Sequence, residues 1–444
     1  KFKDITNLKA KKICEILDAF SNDWKNLLEK ELSENSQLKS SLDSLITLRN
    51  DIAHGQNCVA SVSNVKQYFN DAKKVVDLFD TIIISNKLSR QVLMSGVKYK
   101  DNHPGGISAV VQYWSEYIDG IRYFPMFKEG SRISKINIFA CSYVRMFLTL
   151  LFDKRVKIVH VHTAAGTDFK RSTKIINLAK KFGKKVILHS HASQFKVFYA
   201  EVSNEQKKNI LQTLHKADKL IVLSESWKEW FEKIGVESNK IIILHNITAY
   251  PKFLPVDKDT QIDIDKRPVR FLFMGEIGKR KGVFDIIRGL TKHKEEIKDK
   301  IELRIGGNKM EEQLRNAIAE GGLSDIVKFE GWVSGEKKLK LLNWADVYIL
   351  PSFNEGLPIS ILEAMSYKKP IISTPVGGIP EVVDKTNGIL VTPGNDEEIF
   401  SAMKHYVDYK DDITKHGEES YKKAETYLPD YVLNHLKRIY ESLI

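Results

Sequence analysis

From Gln91 onward the chain alternates short, strongly apolar bursts with stretches of helical texture, and this alternation limits its fold more than any other feature. The bursts "QVLMSG", "VKIVHVHT", "KKVILHSHA", "DKLIVLSE" and "KIIILHN" come first. A polar, proline-containing linker, "YPKFLPVDKDTQIDIDKRP" (Tyr250 to Pro268), interrupts them. The pattern then restarts with "VRFLFMG", "KIELRIGG", "DVYILPS", "PIISTPVG" and "GILVTP". Runs this rich in Val, Ile and Leu, spaced by helices, are expected to be parallel strands buried on both faces in βα units. The expectation is therefore an α/β chain with two doubly wound sheets. Such sheets bind ligands beyond the carboxyl ends of their strands, so a linked pair leaves a cleft there.

Residues 1–85 have a different texture. "ITNLKAKKICEILDAFSNDWKNLLEKEL", "SQLKSSLDSLITLRNDIAHG" and "VSNVKQYFNDAKKVVDLFDTIII" carry apolar residues every three to four positions. That spacing predicts helices alone, the last capped by Ser63 or Asn64. At 444 residues the chain exceeds what one core holds. The expected division is an all-α domain (1–85), a first sheet domain (86–249), a second sheet domain (268–425), and a tail (426–444). The amphipathic tail "DYVLNHLKRIYESLI" is expected to pack back on the first sheet domain.

The net charge of +12 is unevenly placed. Asn86 to Ala200 holds 20 Lys/Arg against 6 Asp/Glu, a local +14. So basic a segment suits anionic lipid, nucleic acid or a phosphorylated substrate, although scattered solvated lysines give the same count. The most apolar window, "INIFACSYVRMFLTLLF" (Ile136 to Phe152), is broken by Arg145 and several polar residues. It reads as a buried or interfacial helix rather than a spanning one. The chain starts at Lys1 with no signal-peptide pattern, and Cys14, Cys58 and Cys141 form no CxxC pair. Those features predict a cytoplasmic protein, peripheral at the inner face of the cell membrane if the basic segment meets lipid.

The richest local motif is "FNEGLPISILEAM" (Phe353 to Met365). The strand "DVYILP" precedes it, Pro358 suits a first helical position, and "ISILEAM" has helical spacing. Strand, glycine loop and helix start together make a phosphate site, because a helix N-terminus presents free N–H groups and a positive dipole end. Glu355 would stand at its mouth and Glu363 farther along the helix. The same two acids equally suit a solvated loop and a helix surface.

The longer segment "FNEGLPISILEAMSYKKPIISTPVGGIPEVV" (Phe353 to Val383) resembles the signature of retaining glycosyltransferases of family 4, which have the GT-B fold of two Rossmann-like domains. Its glutamates keep the E-x7-E spacing, and the resemblance covers about residues 90–444. The resemblance implies that Glu363 binds the ribose hydroxyls of a nucleotide sugar and Glu355 the donor sugar. It implies that the N–H groups of Gly356 and Leu357 cradle the diphosphate. In "GEIGKRKG", Arg280 and Lys281 match the pair that neutralises the leaving diphosphate, although Gly275-Glu276 stands where the family has Gly-Arg. In "NHPGGISAVV", Gly105 and Gly106 occupy the family position lining the cleft. In "LHSHASQF", His191 matches a catalytically important strand-end histidine, whereas His160 and His162 in "HVHT" read as structural. "FEGWVSGEKKLKLL" resembles the base-holding segment, with Gly331, Trp332 and Val333 against the ring; Trp332 suits a core position as well. Gly377 and Gly378 in "TPVGGIPEVV" fit tight backbone near the donor. "DID" (Asp263 to Asp265) mimics a metal-binding D-x-D but lies in the linker. No metal and no cofactor are expected, the nucleotide sugar being a substrate.

"LRNDIAHG" (Leu48 to Gly55) places Arg49, Asn50 and His54 in an R-x4-H motif, and the surrounding helices resemble HEPN domains. Many HEPN domains are RNases whose Arg and His meet across a dimer; others are not enzymes. The implied function is transfer of a sugar, UDP-linked rather than GDP-linked, to a glycan or lipid-linked acceptor with retained configuration, in surface polysaccharide synthesis. The implied partners are the nucleotide sugar, the acceptor, an anionic membrane surface, and a second copy of the chain through the helical domain. The alternatives are an RNA-cleaving toxin or RNA-binding module with the sheets as nucleotide sensor, and a helical domain that serves only as a dimerisation or fusion module.

Overall fold

The computed structural model describes residues 9–444 except 19–21, 55–59, 99–105, 119–121, 192 and 255–263. The chain divides into two compact units, Lys1–Gln91 with Ile118–Gly120, and the remainder.

The first unit is helical, as its periodicity requires: α1 (Ala10–Asp18), α2 (Asn22–Glu34), α3 (Ser36–Ala53) and α4 (Val62–Gln91). Its small core gathers Ala10, Cys14, Leu28, Leu32, Leu42, Ala72 and Val75. One buried polar pair joins α3 to α4, where the Ser41 hydroxyl donates to Asp71 at 2.9 Å. The start of α4 lies two or three residues earlier than the sequence suggested. Ser61, not Ser63 or Asn64, supplies the hydroxyl that accepts from the Asn64 N–H at 3.2 Å.

The second unit holds two six-stranded, all-parallel sheets. The first comprises β1 (Val92–Val97), β2 (Arg122–Phe127), β3 (Ile158–Thr163), β4 (Lys185–Ser190), β5 (Lys219–Val222) and β6 (Ile241–Ile243), in the order β2-β1-β3-β4-β5-β6. Helices α5 (Gly106–Tyr117) and α6 (Arg132–Phe152) follow β1 and β2. The second sheet comprises β7 (Val269–Met274), β8 (Ile301–Gly306), β9 (Val327–Gly331), β10 (Val347–Leu350), β11 (Ile371–Ser373) and β12 (Gly388–Leu390). Its order is β12-β11-β10-β7-β8-β9. Central strands such as β3 and β10 are buried at every position, which explains their unbroken apolar sequence. Each order reverses once, between β1 and β3 and between β7 and β10, and a doubly wound sheet opens its ligand crevice at such a point. The C-terminal helix Pro429–Glu441 reaches the first sheet, where the Tyr440 hydroxyl meets His160 Nδ1 at 2.7 Å.

Candidate active site

Two loops leave the second sheet at its switch point, one after β7 and one after β10. They are locked together through backbone. The Phe353 N–H donates to the Arg280 carbonyl at 2.8 Å, and Gly282 (φ +73°) lies where a Cβ would sit 2.1 Å from the Pro351 carbonyl oxygen. Only glycine tolerates both that φ and that approach. The β7 loop thereby delivers Lys281 and Arg280 to the β10 loop. Lys281 Nζ donates to Glu355 Oε1 at 2.5 Å, the Ser352 hydroxyl donates to the same oxygen at 2.7 Å, and Arg280 stands 4.0 Å from it. Glu355 is buried, and with these partners its charge is compensated rather than stranded.

Gly356 and Leu357 follow, and Pro358 is the N-cap of the helix Ile359–Ser366, one position earlier than expected. The third loop, after β11, fixes this turn from behind. Gly377 (φ +58°) leaves no room for a Cβ, which would lie 2.1 Å from the Glu355 carbonyl, and the Gly378 N–H donates to the Gly356 carbonyl at 2.7 Å. Gly377 and Gly378 thus shape the Glu355–Gly356 turn itself. Glu363, buried on the helix, accepts from Lys338 Nζ at 2.6 Å and from the Tyr113 hydroxyl of α5. Burial first, and the charge of Glu363 second, push the Tyr113 phenol far above its ordinary range. Gly331, Trp332 and Val333 lie at the carboxyl end of β9, half-buried, with Val333 packed where a Cβ on Gly306 would meet it.

The first sheet faces this assembly. Asn246 donates to the Leu357 carbonyl at 2.6 Å, Ser226 to the Gly377 carbonyl at 3.0 Å, and Glu381 accepts from the Glu225 and Ser226 N–H groups at 3.0 and 3.2 Å. The His191 carbonyl lies 3.7 Å from where a Cβ on Gly356 would sit, so the strand-end histidine adjoins the glycine turn. Gly106 opens α5 with nothing within 4 Å of its absent Cβ, and Gly105 lies outside the described residues.

Four histidines form a ladder beneath the cleft, with His160, His162 and His189 buried and His191 half-buried at its end. In the parallel pairing of β3 and β4, His162 stands beside His189. His162 Nδ1 meets His191 Nε2 at 2.9 Å, and His160 Nε2 meets His189 Nδ1 at 3.2 Å. Trp114 stands edge-on to three of the rings at 6.0–6.1 Å. Burial holds His162 down to about 3 and the other three well below the ordinary histidine range. Nitrogens of His160, His162 and His189 lie within 4.8 Å of one another, close enough for one metal ion. Yet the ring planes are within 32° of parallel and stack, so their in-plane lone pairs do not converge, and both His160 nitrogens already have partners. The set fits a hydrogen-bonded ladder and does not fit a metal centre. Sequence reasoning set His160 and His162 apart from His191, and missed Lys338, Tyr113, Ser352 and Glu381. In the helical unit, Arg49 donates to Asn50 at 2.8 Å, and Arg49 and His54 are exposed at the carboxyl end of α3.

Paired doubly wound sheets, with acids and cations gathered at the switch point of the second, give this chain the GT-B fold. The sheet domains belong to the family 4, group 1 glycosyltransferases. Residues 257–423 match the model "Glycosyl transferases group 1" and residues 114–248 match "Glycosyltransferase Family 4". Residues 1–85 match the RiboL-PSP-HEPN family. An uncharacterized glycosyltransferase of Methanocaldococcus jannaschii is 29% identical over 62% of this chain and 72% of its own length. The amylovoran biosynthesis glycosyltransferase AmsK of Erwinia amylovora is 27% identical over 46% of this chain, and the match spans 50% of AmsK. Anabaena HepE, solved in complex with UDP and glucose, superposes with a TM-score of 0.62 at 16% identity, covering 80% of this chain and 99% of HepE.

Proposed function

We propose that this glycosyltransferase takes a sugar from a nucleoside diphosphate donor, UDP favoured, and transfers it with retained configuration to a glycan or lipid-linked acceptor of surface polysaccharide synthesis. The observation that carries the reading is the buried Glu355 held by Lys281 and Ser352 with Arg280 beside it, eight positions before Glu363. In that reading the diphosphate enters between the two glutamates. Its growing charge is met by Arg280, Lys281 and the N–H groups of Gly356 and Leu357, donors already in place before the bond breaks. Glu363 takes the ribose hydroxyls, exchanging its Tyr113 contact for them. Glu355 meets the sugar, and His191, at the strand end beside the Gly356 turn, supports the donor's reacting face; its Nδ1 is buried and has no hydrogen-bond partner among the described residues. Gly331, Trp332 and Val333 take the base, and no metal is required. The UDP and glucose bound by HepE and the polysaccharide assignment of AmsK support the choice of donor and pathway.

The helical unit carries a second reading, since the exposed Arg49 and His54 suit either phosphate contact in an RNase or a dimer face. One experiment addresses both. Purified chain is offered a panel of nucleotide sugars with and without chelator, with UDP release and product anomeric configuration read out; RNA is offered to the same preparation. Chelator-insensitive UDP release with a retained anomer is expected. Strict dependence on Mn²⁺ or Mg²⁺, or an inverted product, would refute the transfer mechanism. RNA cleavage abolished by His54→Ala would establish the RNase reading.

A further inference from the structure

Helix α6 carries apolar residues on its exposed side as well as its buried one. Its inner stripe, Ser142, Met146 and Leu150, packs into the first sheet domain. Its outer stripe, Ile133, Ile136, Ala140, Val144, Phe147 and Leu151, recurs at three- and four-residue steps along the whole helix and faces solvent. Phe152 and Ile133 are 75% and 72% exposed, with Ile136 and Val144 above half. Monomeric proteins rarely leave so long an apolar strip uncovered. Among the described residues α6 is the one helix long and apolar enough to cross a membrane. It does not do so in this fold, because the strands on either side of it, β2 and β3, both pair with β1 and hold its two ends in one sheet.

The charges around the strip indicate what covers it. From Lys128 to Lys157 there are seven Lys/Arg against Glu129 and Asp153 alone, and the helix itself contains no acid. Asp153 is neutralised by Arg122 at 2.6 Å and Arg155 at 2.9 Å. Lys135 and Arg145 lie over the Phe127 and Phe124 rings of β2 at 5.4 and 5.7 Å, which leaves the outer strip free of charge. A second copy docked on this face would set like charges against like, whereas an anionic bilayer accepts both the apolar strip and its cationic border.

We infer that α6 lies in the surface of an anionic bilayer, its outer stripe in the acyl boundary and its cations among the headgroups. The contact is independent of which donor and acceptor the active site takes.

Co-sedimentation with phosphatidylglycerol-containing vesicles and with pure phosphatidylcholine vesicles, at low and high salt, tests it on the full chain. The expected result is binding to the anionic vesicles that weakens at high salt and falls by roughly ten-fold or more in Ile136→Glu/Leu151→Glu. UDP binding by that variant should be unchanged, since neither residue touches the cleft; if it is lost, Ile136→Ser/Leu151→Ser replaces it. Failure of the parent chain to bind anionic vesicles at low salt overturns the inference, as does equal binding by the variants. A concentration-dependent dimer that the variants dissolve, without vesicle binding, assigns the face to a second copy instead.

Discussion

Glu363 and Glu355 stand on one loop-and-helix start with different partners, and substituting them should separate binding from turnover. Glu363→Ala removes the acceptor that now serves Lys338 and Tyr113 and, in the proposed complex, the ribose hydroxyls. A charge-assisted bond is worth roughly 1.5–3 kcal/mol, so the net loss of one should make UDP bind about ten- to a hundred-fold more weakly. Glu355→Gln keeps the size of the side chain but loses the charge facing the sugar, so kcat should fall while UDP affinity stays near the parent value. Calorimetry with UDP decides; equal affinities for the parent and Glu363→Ala would remove Glu363 from the ribose. The two acids were legible because strand, turn and helix bring them together within one short segment. Lys338 and Tyr113 were not, being 25 and 250 positions from the carboxylate they meet. Nothing local in "GEKKLKLL" or "VVQYW" marks either one, and only the packing of α5 and the Gly335–Trp344 helix reveals them. The histidine ladder was hidden for a similar reason: it exists only once β3 and β4 pair in register.

Glycine geometry governs the loops between elements, and it gives a graded test. Gly377 and Gly331 both have positive φ, +58° and +67°, but a Cβ at Gly377 would strike the Glu355 carbonyl whereas one at Gly331 meets nothing within 4 Å. Gly331→Ala should therefore cost only the left-handed penalty, about 1–2 kcal/mol. Gly377→Ala adds a backbone clash and must displace the Glu355 turn, so it should lose transfer activity even at temperatures where it stays folded. Thermal melts paired with UDP release check this, and an active Gly377→Ala would show the turn to be freer than its contacts indicate. At this scale the sequence announced ten of the twelve strands, and the two it did not are instructive. β2, "RYFPMF", and β9, "VKFEG", are edge strands of their sheets, with polar residues or proline and only partial burial. An edge strand has one unpaired side, so β2 can hold Pro125 and β9 can leave Lys328 exposed, and neither carries an unbroken apolar run, whereas β6 and β12, also at edges, kept theirs and were legible. The order of strands was likewise invisible, since it depends on crossovers rather than on any one segment.

For the sheet unit as a whole, the histidine ladder ties folding to pH. It joins β3, β4, α5 through Trp114, and the C-terminal helix through Tyr440, and among the described residues none of the four imidazoles has a carboxylate hydrogen-bond partner. Burial keeps all four neutral, with His162 titrating near 3 and His160, His189 and His191 well below the ordinary value. In the unfolded chain the same side chains titrate near 6.5, so as pH falls the unfolded state binds protons that the folded state refuses. Stability from this source is complete above about pH 6.5 and is lost progressively below it, down through the depressed folded values. Each histidine contributes a slope of up to about 1.4 kcal/mol per pH unit, so four together should make the sheet unit's stability fall steeply between about pH 6 and 5. Urea unfolding followed by tryptophan fluorescence from pH 8 to 5 measures it. His160→Gln, which keeps one amide in place of a ring hydrogen-bonded to Tyr440, should be less stable at pH 8 and lose less on acidification. Parent stability that is flat from pH 7 to 5 would mean that the ladder opens to water or takes up protons while folded.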